Sequence, residues 1–240
     1  MKNTQSPIKK SESWMMFDEI SPKYDLLNRL LSFGLDIHWR EKIKKHLPER
    51  KKLIVLDAAT GTADVLLSLI KDDRVAKGQG IDMAARMLDI GRAKIQKRGL
   101  SHKITLTHAD ANKIPFENNH FDVATISFGI RNMEDPTAVL QELCRTLKPE
   151  GRALILEFSM PKNPILRAGH LFYLRTIVPL IGYIFSGHYK AYKYLNQTIE
   201  DFPYGDDFCR LMTTAGFHNV KANPLLWGVA TIYQGDKPTS

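Results

Sequence analysis

Residues 53–64 read LIVLDAATGTAD, and this short run decides the fold. Apolar residues lead up to an acid, Asp57, and a tight turn follows around Gly61. From Thr62 the chain reads TADVLLSLIKD, with Val65, Leu66, Leu69 and Ile70 at helical spacing. A buried strand, a turn and a helix are expected in that order, and the pattern then repeats. AKGQGID (residues 76–82) is a strand closing on Asp82. MAARMLDIGRAKIQKRG (83–99) is a helix with Met83, Met87, Ile90 and Ala93 on one face and Gly99 as its stop. KITLTHAD (103–110) alternates as a strand does, and FDVATISF (121–128) is a nearly continuous buried strand. EDPTAVLQELCRTLKPEG (134–151) is a helix capped by Asp135, with Pro136 at its first position and a Pro-Gly turn at its end. RALILEFS (152–159) is the next strand. Near-continuous apolar strands alternating with helices predict an α/β fold: a Rossmann-like, mostly parallel sheet covered by helices on both faces.

Such sheets take their ligands outside the carboxyl ends of the strands. The candidates are therefore residues 57–64, Asp82, Asp110 and residues 127–132. The core occupies residues 53–160. A helical segment, 1–52, precedes it and reads as a lid. An apolar insertion, 161–204, interrupts the alternation and reads as a cap broken at Pro179. Residues 205–240 supply a last helix and strands.

Composition is that of a globular domain, 43% hydrophobic and 25% charged. Neither Cys144 nor Cys209 has metal-ligand or disulfide spacing, and the N-terminus has no signal-length apolar run, which together predict a cytoplasmic protein without a metal site. The net charge is +8, and residues 1–52 hold about 12 basic and 7 acidic side chains. No aromatic-interleaved basic motif suggests nucleic acid as a partner. A solvated basic face and an anionic membrane surface both fit the charge, and a homo-oligomer is left open.

The turn itself limits the cofactor. It lacks the three glycines of a dinucleotide fingerprint and the Gly-Lys-Ser/Thr of a phosphate loop. S-adenosylmethionine, which has no phosphate, suits it better. Asp57 would take the ammonium, directly or through water, and the Thr62 hydroxyl with nearby N–H groups the carboxylate. Asp82 stands where an acid reads ribose hydroxyls. Asp110 and the Ala111 N–H would meet the adenine edge. Each acid also has a plainer reading as a helix N-cap.

One N-terminal stretch is unusual. KYDLLNRLLSFGLDIHWR (23–40) carries a leucine stripe, yet crowds Tyr24, Asp25, Asn28, His38 and Trp39 together. Tyr24 and Asn28 share a helical face. Gly34 would end the helix, and Asp36 would cap a second one with Trp39, Ile43 and Leu47 on its apolar side.

With YDLLNRLLSFGLDIHWR, LDAATGTAD, ISFGIRNMED, LKPEGRALILEFSMP and YKYLNQTIEDFP on the page, the chain resembles the class I S-adenosylmethionine-dependent methyltransferases, and within them the ubiquinone/menaquinone biosynthesis C-methyltransferase family. The resemblance runs from about Phe17 to Tyr233. It departs at Ala59 and Thr60, where family members often carry glycine. The resemblance implies a seven-stranded sheet and cofactor contacts at Thr62, Asp82, Asp110, Ala111 and Ser127. It also implies C-methylation of a polyprenylated quinol, with demethylmenaquinol preferred because no organelle-targeting extension is seen. A benzoquinol acceptor, O-methylation of a small phenol, methylation of an RNA base and a non-catalytic S-adenosylmethionine- or lipid-binding role are the alternatives. Tyr24, Asn28 and His38 are then expected over the strand ends. Arg131 and Asn132 follow the central strand, Arg131 as a stabiliser of the quinolate oxygen or a clamp on a water. The apolar cap is expected to line a tunnel for the prenyl chain or to lie in the membrane interface. Lys42, Lys44, Lys45, Lys190 and Lys193 would attract anionic headgroups, with salt-sensitive peripheral membrane association as the result.

Overall fold

The computed structural model describes residues 9–186 and 189–239, without the side chains of residues 183–193. Seven strands form one sheet in the order β3-β2-β1-β4-β5-β7-β6. They are β1 (Leu53–Ala58), β2 (Val75–Asp82), β3 (Ile104–His108), β4 (Phe121–Ser127), β5 (Leu147–Phe158), β6 (His218–Leu225) and β7 (Ala230–Asp236). The first five are mutually parallel, and β7 runs antiparallel to both β5 and β6. Chain order reverses between β1 and β4, so a crevice opens at their carboxyl ends.

Apolar side chains on both faces explain why the strands read as continuous runs. Val55, Leu66, Val123 and Leu154 belong to the core on one face, and Leu56, Ile126, Leu140 and Ile155 to that on the other. Helices α3 (Asp64–Leu69), α4 (Ala85–Lys97), α5 (Pro136–Thr146) and α9 (Asp206–Thr214) cover the sheet. Asp135 caps α5 as expected, accepting from the Thr137 and Ala138 N–H groups. The lid is α1 (Ser13–Leu31) and α2 (Leu35–Lys42), and the cap is α6 (Pro164–Phe172), α7 (Val178–Ser186) and α8 (Tyr189–Asp201). Lid and cap share a third core, with Leu27 meeting Leu174, Val178 and Ile199.

Four local expectations need correction. Helix α4 buries Met87, Leu88, Gly91 and Ile95, while Ala93 is exposed; helices on a sheet turn their smallest residue to the closest approach. The Pro-Gly turn is a bulge inside β5: Phe121 faces Leu147 and Val123 already faces Arg152, with Glu150 at φ 61. Pro179 does not break the cap. A π-helical turn, Tyr173–Ile177, leads straight into α7 and absorbs the missing N–H. Asp36 is not a cap, because Gly34 holds that position and Asp36 sits buried in the first turn of α2.

Gly91 shows how the helix layer is seated. A Cβ there would stand 2.8 Å from Leu106 Cδ1 and 3.3 Å from the Thr62 backbone carbon. Glycine in a helix costs about 1 kcal/mol relative to alanine, and close approach to the turn after β1 is what it gains. Gly91→Ala should be near neutral in urea unfolding, since the propensity gain offsets a contact with the flexible end of Leu106. Gly91→Val should cost about 1–3 kcal/mol.

Candidate functional site

Two cavities open at the carboxyl ends of the strands. The first, of about 190 Å³, lies over the turns after β1, β2, β3 and β4 and is lined by Gly61, Asp82, Asp110, Ala111 and Ser127, with Trp14 and Ser13 of α1 above them. The second, of about 230 Å³, lies between lid and cap. Its lining is mainly apolar, from Met16, Leu27, Leu31, Trp39, Phe158, Leu174, Val178 and Ile199, with Asn28, Arg131, His170, Tyr173 and Tyr194 as polar points. Phe17, Tyr24, Phe128 and Asn132 line both and mark the junction.

In the first cavity Asp82 accepts from the Gly61 and Ala84 N–H groups, both at 2.8 Å. Burial raises its pKa, against the pull of those N–H groups. Asp110 accepts from the Asn112 backbone and side chain at 2.8 and 2.9 Å. Ser127 Oγ and Asn132 Oδ1 are buried without a hydrogen-bond partner, and an unpaired buried polar atom costs about 1–3 kcal/mol. Two acids and orphaned polar atoms around one cavity fit a cationic ligand that carries hydroxyl and amino groups. S-adenosylmethionine is such a ligand.

Two expected contacts lie elsewhere. Asp57 is 1% exposed and does not line the cavity; it accepts from Thr60 Oγ1 at 2.7 Å and Thr125 Oγ1 at 2.5 Å, tying the turn to the central strands. Thr62 also points away. Its hydroxyl donates to Asp25 Oδ1 at 2.7 Å and accepts from Lys94 at 2.8 Å. The departures at 59 and 60 have counterparts across the turn. Ala59 keeps a left-handed backbone at φ 53, and its methyl occupies the space a Cβ at Gly129 would need, 2.8 Å away. Thr60 Cγ2 stands 2.8 Å from where a Gly80 Cβ would be. Glycines opposite the turn make room for the side chains within it.

In the second cavity Tyr24 is half-buried and hydrogen-bonds Asn28. Burial raises its pKa, so the phenol keeps its proton at neutral pH. Arg131 is 3% exposed and pairs with Glu157 through Nη1 at 2.7 Å. The same nitrogen donates to Phe128 O at 2.6 Å, while Arg131 Nε has no partner. His38 is exposed on the outer side of α2 and lines neither cavity, so it leaves the candidate set.

An ion network that sequence reasoning missed fastens the lid. Lys94 of α4 pairs with Asp25 of α1 and with Asp64 of α3, the latter at 2.8 Å. Arg29 of α1 bridges Asp64 at 2.9 Å and Asp36 at 3.0 Å, and Arg40 also pairs with Asp36. Asp25 stood in the crowded stretch, and Asp64 in the turn, but nothing local showed that they shared a lysine.

The chain matches the model of the ubiE/COQ5 methyltransferase family over residues 6–237. It is 41% identical to the demethylmenaquinone methyltransferase of Thermus thermophilus, covering 93% of this chain and 100% of that protein. It is 40% identical to the ubiquinone/menaquinone biosynthesis C-methyltransferase UbiE of Geotalea uraniireducens, covering 92% and 94%. Among solved structures, a SAM-dependent methyltransferase from Aquifex aeolicus superposes with a TM-score of 0.59 at 20% identity, over 82% of this chain and 88% of that one.

Asp57 offers a pH test of the turn. Burial raises its carboxyl from 3.8 to about 6. The folded protein therefore binds an extra proton between those values, and stability falls as pH rises from about 4 to 6, by about 3 kcal/mol. Asp57→Asn should flatten that segment in denaturant titrations at successive pH values. An unchanged slope would put the proton elsewhere.

Proposed function

The chain belongs to the ubiE/COQ5 methyltransferase family and is an S-adenosylmethionine-dependent enzyme that methylates a quinone ring carbon, and we propose that its acceptor is a prenylated demethylnaphthoquinol held in the apolar cavity. The observation that carries the reading is the junction: an acid-lined cavity and an apolar one meet at Phe17, Tyr24, Phe128 and Asn132. S-adenosylmethionine would supply a methyl group on a cationic sulfur. Asp82, Asp110, the Ala111 N–H and the Ser127 hydroxyl would hold it, while Asp57 and Thr62 act on the shape of the turn. The naphthoquinol preference is supported by the name of the Thermus relative, which aligns over its full length.

The acceptor carbon must become nucleophilic. Loss of the ortho hydroxyl's proton to water pushes electron density onto it, and its own proton passes to water after methyl transfer. A hydroxyl both donates and accepts, and two unpartnered atoms that adjoin in sequence at the end of the central strand offer one role each: Asn132 Oδ1 as acceptor and Arg131 Nε as donor. Arginine keeps its proton, so Arg131 stabilises the quinolate oxygen and is not the base. Glu157 fixes the guanidinium in that place. Tyr24, protonated and bonded to Asn28, closes the junction beside them. Alignment of the reacting atoms contributes about 7–11 kcal/mol, whereas a positioned base adds about 10²–10⁴-fold. Positioning by lid and cap dominates.

The purified protein with methyl-labelled cofactor and a reduced prenyl-naphthoquinone should yield a C-methylated product by mass spectrometry. Arg131→Ala should lower kcat by about 10²-fold or more, and Arg131→Lys by less. Near-normal turnover in both variants removes Arg131 from its role, and label on oxygen removes the reading.

The mouth of the apolar cavity points to a membrane surface as the source of the acceptor. Phe33 and Trp227 are each 75% exposed, and Leu226, which lines the cavity, is also exposed. Phe172 and Ile165 of α6, the helix that carries His170 into the cavity, are exposed apolar residues as well. Such patches mark interaction sites. Among the described residues no helix is long and apolar enough to cross a membrane. The lysine argument changes, however. Arg74, just before β2, donates to Lys44 O at 2.8 Å, and Arg152, paired with Val123 near the start of β4, donates to His46 O at 3.0 Å. Lys42, Lys44 and Lys45 therefore stand toward the amino ends of the strands, away from the mouth; the side chains of Lys190 and Lys193 lie outside the described residues. Vesicle flotation should thus survive high salt and be lost in a Phe33→Ser, Trp227→Ser double variant. Binding abolished by salt alone would restore the electrostatic account.

A further inference from the structure

We propose that His170 is a substrate-binding residue, whose Nε2 takes the hydrogen bond of the quinol hydroxyl para to the one held by Arg131 and Asn132. This rests on the quinol reading of the apolar cavity. His170 lies in the last turn of α6 and lines that cavity, yet its Nε2 is buried with no partner. The other polar groups in the lining are largely committed. Tyr173 donates to Leu31 O at 2.7 Å, Tyr24 bonds Asn28, and Arg40 pairs with Asp36. The Tyr194 hydroxyl is within reach of the Ser13 hydroxyl, beside the first cavity. Burial lowers the His170 pKa and keeps the ring neutral. Tyr173, one helical turn on, meets Leu31 and Phe33 on the lid, whereas Arg131 is held at the strand ends by Phe128 O and Glu157, so His170 stands on the mouth side of the cavity, where the second oxygen of a para-diol falls.

The substrate's own chemistry agrees. The prenyl chain is ortho to the para hydroxyl, so the tail leaves on the His170 side. Tyr173, three residues on, packs against Phe33 with ring centroids 5.9 Å apart at the exposed mouth. The para hydroxyl is meta to the accepting carbon, so a hydrogen bond there orients the ring without activating it. His170 should govern binding, not the chemical step.

Two acceptors separate these roles: the prenylated naphthalenediol, and a prenylated naphthol that keeps the ortho hydroxyl and lacks the para one. KM and kcat are measured for each with wild type, His170→Ala and His170→Gln. The Kd of each acceptor is read from quenching of intrinsic fluorescence, since Trp39 lines the cavity. Cofactor Kd serves as the folding control. Loss of one hydrogen bond to the diol should raise its Kd and KM about tenfold in His170→Ala, with partial recovery in His170→Gln and little change in kcat. The naphthol should bind all three proteins alike. Equal losses for both acceptors would make His170 a packing residue, and no loss for the diol would remove it from the site. A wild-type protein that binds neither acceptor would overturn the quinol reading and this inference together, an outcome distinct from the other two.

Discussion

Three carboxylates and three cations hold the lid on this enzyme. Asp25, Asp36 and Asp64 meet Arg29, Arg40 and Lys94 in a single half-buried cluster that joins α1, α2, α3 and α4. The charges balance, which matters because a partly desolvated charge stripped of its partner is left without compensation. Burial alone would push the Asp64 carboxyl up, yet Lys94 and Arg29 hold it below its ordinary range. The cluster also sets where everything else can be. It draws α1 down against the turn after β1, and so places Phe17, Tyr24 and Asn28 between the two cavities. A lid held only by apolar contact could slide along the strand ends. One held by directed ion pairs has a fixed register.

The turn beneath is shaped by pairs of residues rather than by glycines of its own. Ala59 and Thr60 put side chains where a smaller turn would have none, and Gly129 and Gly80 vacate the space opposite. Asp57 completes the arrangement by gathering two hydroxyls under the turn. Its cost is visible in its raised pKa, since a carboxylate sealed from water by a close-packed turn is easier to protonate. The turn thereby leaves Gly61 and Asp82 facing the cavity while its own polar side chains face inward.

Much of this was legible in the chain. Strand ends were readable because parallel strands buried on both faces are continuous apolar runs closed by a polar residue, and Asp82, Asp110 and Ser127 do line one cavity. Local spacing could not tell which polar residues at a strand end face the ligand and which face the scaffold; Asp57 and Thr62 turn inward because Thr125 and Asp25, far away in sequence, receive them. His38 failed for the opposite reason. It neighbours Trp39, but adjacent residues on a helix point in different directions, and Trp39 took the inward one. The Asp25–Lys94 pair spans α1 and α4, and no periodicity within either helix reports it.

The two cavities answer different physical demands, and this explains why lid and cap come from separate parts of the chain. A cationic cofactor with hydroxyl and amino groups needs carboxylates and hydrogen-bond partners on rigid backbone, which strand ends provide. A prenylated ring needs apolar area that can open to admit a long chain, which loosely tethered helices provide better than a sheet. Placing both functions on one element would expose the methyl donor whenever the lipid entered. Among the described helices of lid and cap, α1 touches both, fixed to the sheet side by ion pairs and to the cap side by Leu27 and Leu31. Helix α1 is thereby held in register over the first cavity, and the geometry of the junction is set from the sheet side.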